Sequence, residues 1–127
     1  MAETSLRLAT NECKMKGSGY CPKPLEQVAV FLSKKWTLSI IVTIGNFNVL
    51  RFNDLLRRIG ISQKTLSERL QELEKYNLLV RNAFNERPPR VEYSLTPKGQ
   101  KVRKSVLPLL RVAESIRSRS DFPNESI

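Results

Sequence analysis

Between Arg51 and Pro97 the apolar periodicity of the chain changes twice, and this constrains the fold more than any other feature. Phe52, Leu55 and Leu56 recur at helical spacing, i, i+3, i+4. Gly60 then supplies a residue suited to a positive-φ turn, and Ser62 stands where a following helix needs an N-cap. From there Leu66, Leu70, Leu73 and Asn77 fall on one helical stripe, with Lys64, Ser67, Glu68, Gln71 and Lys75 opposite. After Asn77 the period drops to two. Leu78 to Arg81 predicts one strand; Val91, Tyr93 and Leu95, alternating with Glu92 and Ser94, predict a second. Arg87-Pro88-Pro89-Arg90 joins them. A helix pair with a tight turn, followed by an arginine-bearing hairpin, suits insertion into a DNA major groove with a flanking backbone contact. The expected architecture is mainly α with a small β-hairpin wing, a winged helix-turn-helix.

The rest of the chain surrounds this block. Residues 1–20 read as a mobile lead-in, with Leu6 to Leu8 as its candidate dimer contact. Leu25, Val28, Ala29 and Leu32 then give a helical stripe after Pro22 and Pro24. Trp36 opens a helix through Leu38, Ile40, Ile41 and Ile44 that is apolar most of the way round, and is therefore the expected core element, with Trp36 as its anchor. Thr96-Pro97 is an N-cap with proline at the first helical position. Val102, Val106, Leu109, Leu110 and Ala113 give the helix that follows an apolar side, and Pro108 is expected to kink or interrupt it. This helix outruns what the core can cover, so its surplus apolar face, with the N-terminal segment, predicts a homodimer. The domain reading is a lead-in at 1–20, a DNA-binding domain at 21–96, a dimerisation helix at 97–119 and a flexible tail at 120–127.

Composition narrows the function. At 127 residues the chain suits one modest core. A net charge of +10 attracts polyanions, of which double-stranded DNA is the partner that fits the helix-turn-helix. The absence of histidine removes the commonest general base and metal ligand together, and two cysteines cannot make a zinc site alone. Glycine forms no phosphate-binding loop. No catalytic residue, metal or cofactor is expected. The longest apolar run, Leu38 to Ile44, is far too short to span a membrane, and the N-terminus lacks a secretory pattern, so a cytoplasmic location is expected.

The polar face of the second helix admits two readings, a solvated face or a base-reading one. In the latter, Lys64 donates to guanine, Gln63 and Gln71 pair with adenine, and Ser67 adapts to either, with the first turn reaching deepest. The hairpin favours base reading. Two prolines stiffen a loop flanked by Arg87 and Arg90, which a merely solubilising loop does not need. Arg51 and Thr65 join Arg87 and Arg90 as candidate backbone contacts. The alternative is a winged-helix protein-interaction module that never reads DNA.

The chain resembles the HxlR-type winged-helix transcriptional regulators, relatives of the MarR group. The resemblance rests on Cys21-Pro22, Lys35-Trp36-Thr37, Arg51-Phe52-Asn53-Asp54-Leu55, the run Ile61 to Leu70, Leu78-Leu79-Val80-Arg81, and the run Arg87 to Gly99. It implies a homodimeric bacterial or archaeal DNA-binding regulator, with the helix after Ser62 in the major groove and the hairpin as wing. A palindromic operator would follow. Two departures stand out: Asn77 replaces the usual glycine, and the last helix lacks the late tryptophan many members carry. Cys21 matches a cysteine that some members use to sense oxidants or electrophiles. Lys23 and a nearby helix start would favour its thiolate, and Cys13 is a candidate resolving partner within the chain or across the dimer. The alternative for Cys21 is a small apolar residue capping the core. Regulated genes, direction of regulation and any small-molecule effector are not legible.

Overall fold

The computed structural model describes residues 13–117. The expected tail at 120–127, the end of the last helix at 118–119 and the part of the lead-in up to residue 12 lie outside the described residues. The chain divides into two compact units, Met1–Lys34 and Lys35–Ile127, a division that falls within the expected 21–96 domain.

In the first unit a disulfide joins Cys13 and Cys21, with their Cα atoms 5.7 Å apart, so the two thiols pair within one chain. The intervening loop turns at Gly17 (φ +51°) and closes with Gly19 N–H donating to the Lys16 carbonyl at 2.7 Å. Helix α1 follows over Lys23–Leu32, started by Pro22 and Pro24. Its expected stripe is not an interior one. Leu25 and Val28 are exposed and Ala29 and Leu32 only half-buried, while Cys21 and Phe31 are buried.

The second unit holds helix α2 (Thr37–Phe47), strand β1 (Leu50–Arg51), helix α3 (Phe52–Ile59), helix α4 (Gln63–Lys75), strands β2 (Leu79–Phe84) and β3 (Arg90–Leu95), and helix α5 (Pro97–Arg117). Ile40, Ile41 and Ile44 of α2 have no exposed surface, so α2 is the core helix its composition predicts. Leu55, Leu66, Leu70 and Leu73 complete that interior from α3 and α4. Trp36 is only half-buried; it precedes α2 in a left-handed conformation, with the Lys35 ammonium 5.0 Å from its ring centroid.

The sheet has three strands, not two, in the order β1-β3-β2 and antiparallel throughout. Leu50 pairs with Tyr93 and Arg51 with Glu92, so β1 covers one edge of the hairpin strand β3. A two-residue strand carries too little alternation to be read from periodicity. The hairpin register runs from Leu79 opposite Leu95 to Phe84 opposite Arg90, leaving a loop of residues 85–89. The ladder therefore extends further toward the tip than the apolar alternation shows.

The joint between α4 and β2 explains Asn77. Leu78 N–H reaches the Leu73 carbonyl and Asn77 N–H the Glu74 carbonyl, both at 2.9 Å, with Asn77 at φ +60°. This is a Schellman C-cap, and asparagine is the residue after glycine that best tolerates its left-handed position. Thr96 caps α5: its Oγ1 accepts from Gly99 N–H at 3.0 Å and donates to the Asn77 carbonyl at 2.7 Å. Helix α5 then runs to Arg117 without interruption, although Pro108 lies inside it. The carbonyl that Pro108 cannot serve belongs to exposed Lys104, where water can satisfy it. On the facing helix, Gly45 leaves room for Arg103, whose side chain lies where a Cβ would stand and whose Nη2 donates to Asn46 Oδ1.

Candidate nucleic-acid interface

The helix-turn-helix is assembled by local chemistry. Asp54 accepts from Arg51 N–H at 3.3 Å and pairs with Arg57 at 3.1 Å, securing the first turn of α3. Gly60, at φ +75°, turns the chain after α3 by a conformation few side-chain-bearing residues adopt. Ser62 then caps α4 as expected, its Oγ accepting from Thr65 N–H at 3.2 Å and donating to Thr65 Oγ1 at 2.9 Å. Leu66, Leu70 and Leu73 anchor the inner stripe, and this leaves Gln63, Lys64, Glu68 and Gln71 exposed and Ser67 half-exposed on the outer face. All four candidate base readers therefore share one helix, and Gln63 and Lys64 sit in its exposed first turn. Thr65 is half-buried; its N–H donates to Ser62 Oγ and its Oγ1 accepts from the Ser62 hydroxyl.

Arg69 was not singled out from the sequence and proves structural. Its Nε donates to the Lys35 carbonyl at 3.1 Å and its Nη1 lies 3.5 Å from Glu72. This ties α4 to the start of α2 across 34 residues. Only its position beside the Leu66–Leu70 stripe hinted at an inward role. Arg58, in the last turn of α3, stacks its guanidinium 4.0 Å from the Phe47 ring centroid.

The wing arginines part company. Arg87 is exposed in the 85–89 loop, next to the cis bond that joins it to Pro88, and Arg51 is exposed at the end of β1. Arg90, expected to project beside Arg87, is instead engaged within the hairpin. Its guanidinium stacks 4.1 Å from the Phe84 ring centroid, Nη2 meets Glu86 at 3.0 Å and Nη1 meets Glu92 at 3.5 Å. The cause is register: Phe84 lies directly across from Arg90, and Glu92 is two residues along the same face. Arg81 on β2 is also exposed, a strand cation that no motif in the sequence marks out for DNA contact.

A shallow groove of about 400 Å³ runs between α2, the end of α3 and α5, lined by Leu38, Val42, Ile59, Val106, Leu109 and Leu110. Leu109, Leu110, Val112 and Ile116 are exposed on α5. No single helix among the described residues is long and apolar enough to cross a membrane.

Residues 31–121 match the model of the family described as HxlR-like helix-turn-helix. The chain is 40% identical over 87 residues to the HTH-type transcriptional regulator YtfH of Escherichia coli, covering 68% of each. The structure of the redox regulator HypR in its oxidised form superimposes with a TM-score of 0.66 at 28% identity, covering 82% of this chain and 99% of HypR. The reduced form of the transcriptional regulator YodB from Bacillus subtilis gives 0.58 at 30% identity, covering 83% of this chain and 98% of YodB.

Proposed function

Since the chain belongs to the HxlR-like helix-turn-helix family and is a transcriptional regulator, not an enzyme, we propose that it acts in the cytoplasm as a homodimer that binds a palindromic DNA operator. The observation that carries this reading is the capped first turn of α4. Ser62 fixes the helix start, the leucine stripe fixes its rotation, and Gln63 and Lys64 are presented to solvent on a chain of net charge +10. In this reading α4 lies in the major groove, where Gln63, Lys64, Ser67 and Gln71 meet base edges. Arg51, Thr65 and Arg87 serve the sugar-phosphate backbone. The exposed apolar side of α5 supports the dimer, since a patch of Leu109, Leu110, Val112 and Ile116 left in water is the kind that marks an interface. Two copies related by a two-fold axis then read half-sites about one helical turn apart.

Redox input is the second element of the proposal. Cys13 and Cys21 form a disulfide here, and the similar HypR is described as a redox regulator in both oxidised and reduced forms. Oxidation would remove one hydrogen from each thiol as the S–S bond forms, with an electrophilic oxidant such as diamide taking up both. Mass spectrometry after diamide treatment, paired with DNA affinity before and after, tests it; unchanged affinity across a full thiol-to-disulfide conversion would end the redox reading.

Selection from random duplexes with the full chain, followed by footprinting, tests the operator. Enrichment of an inverted repeat protected on two successive major-groove faces is expected. No enrichment, with salt-insensitive binding to a protein partner, would favour an interaction module instead.

A further inference from the structure

The hairpin tip holds a charge cluster that DNA recognition by α4 does not use. Glu86, Arg90 and Glu92 converge on the face that carries Phe84, and one guanidinium serves both carboxylates while stacking on the ring. The Arg90 side chain is 28% exposed, and its Nε is buried without a hydrogen-bond partner among the described residues. Glu86 is further held by its own N–H, which donates to the Phe84 carbonyl at 2.9 Å. Arg87 is the next residue and is exposed.

Charge and geometry here point the same way. One cation among two carboxylates leaves the cluster with a formal charge of −1, so Arg90 brings no net positive charge to a phosphate. What it does is fix the loop. A planar guanidinium can stack on an aromatic face and offer two edges to two carboxylates together; a lysine ammonium on a flexible stem cannot. We propose that Arg90 is a positioning residue: clamped on Phe84 between Glu86 and Glu92, it orders the wing tip so that Arg87 is presented to a DNA phosphate. This role rests on the DNA-binding reading above.

The test uses the full chain, a fluorescein-labelled duplex of mixed sequence, and fluorescence anisotropy over a range of salt. Arg87→Gln should weaken binding and make the slope of log K against log salt shallower by roughly 0.9, one phosphate contact. Arg90→Lys keeps the charge, yet should weaken binding by roughly 3- to 10-fold, the scale of one ordinary hydrogen-bonded contact. Phe84→Leu, which changes no charge, should do the same. In an Arg87→Gln background Arg90→Lys should cost nothing more, because it acts through Arg87. In DNA-free protein, amide hydrogen exchange at Glu86, whose N–H bonds the Phe84 carbonyl, should speed up in Arg90→Lys and Phe84→Leu while α4 stays protected. Wild-type affinity in Arg90→Lys, or losses that multiply in the double variant, would overturn the positioning role in favour of a direct phosphate contact. Unchanged exchange in both variants would overturn the clamp itself. A wild-type chain with no salt-dependent duplex binding would overturn the DNA-binding reading, and the exchange result would still decide the clamp.

Discussion

Gly99→Ala sets two opposing effects against each other, and the structure decides the sign. Replacing glycine by alanine inside a helix ordinarily stabilises by up to about 1 kcal/mol, through helix propensity and a less flexible unfolded chain. At Gly99, however, a Cβ would stand 2.1 Å from the Leu78 carbonyl oxygen and 3.3 Å from Leu95 Cβ. The first turn of α5 would have to retreat by about 1 Å from backbone that cannot easily yield, a form of overpacking that costs about 1–3 kcal/mol. That retreat also strains the bonds made at the same joint. Thr96 N–H donates to the same Leu78 oxygen at 3.1 Å, and Thr96 Oγ1 links Gly99 N–H to the Asn77 carbonyl. Losing the cap costs about 1 kcal/mol and each further hydrogen bond a similar amount. The expected net loss is about 2–4 kcal/mol, or roughly 10 °C in Tm for a domain of this size. Urea and thermal melts followed by far-UV circular dichroism measure it. Gly60→Ala is the comparison: no atom lies within 4 Å of its Cβ position, so only its φ of +75° opposes the change, at about 1–2 kcal/mol. Equal or greater stability of Gly99→Ala would show that the close approach to Leu78 does not govern this joint.

Three further outcomes can be measured directly. Thr37→Val should stabilise the chain by about 1 kcal/mol in urea melts, because Thr37 Oγ1 is buried without a hydrogen-bond partner among the described residues and the replacement removes the orphaned hydroxyl at nearly constant shape. Asn77→Val should lose about 1–2 kcal/mol, since a β-branched residue resists φ +60°; Asn77→Gly should fold at least as cooperatively as the parent chain, and a clear drop in its Tm would contradict the Schellman assignment. On a selected operator, Lys64→Ala or Gln63→Ala should lose about 1–3 kcal/mol of discrimination between cognate and altered half-sites, whereas Arg87→Gln should weaken operator and random duplex alike. Equal losses on both duplexes for every variant would refute the division between base and backbone contacts.

Much of the helix-turn-helix was legible because it is built from neighbours in sequence. The Ser62 cap, the Gly60 turn and the left-handed Asn77 each involve residues within five positions of one another, and the leucine stripe advances in steps of three or four, so spacing and residue type decide the conformation. The apolar run of α2 likewise marked the core, because a helix apolar all round has nowhere else to go. The two-residue strand β1 escaped because pairing, and not periodicity, makes it a strand.

What tertiary structure alone decided is the fate of individual charges and of close approaches. From the sequence, Arg87 and Arg90 are equivalent flanks of Pro-Pro; cross-strand register puts Phe84 and two carboxylates around Arg90 and leaves Arg87 exposed. Arg69 reads as another helix cation until Lys35, 34 residues away, offers its carbonyl. Gly99 reads as an ordinary helix-start residue until the Leu78 oxygen is found beside it. Local conformation depends on bonds a few residues long, so the amino-acid order carries it openly. The partner of a long side chain depends on which distant segment the fold brings within about 4 Å, and only the packed chain specifies that.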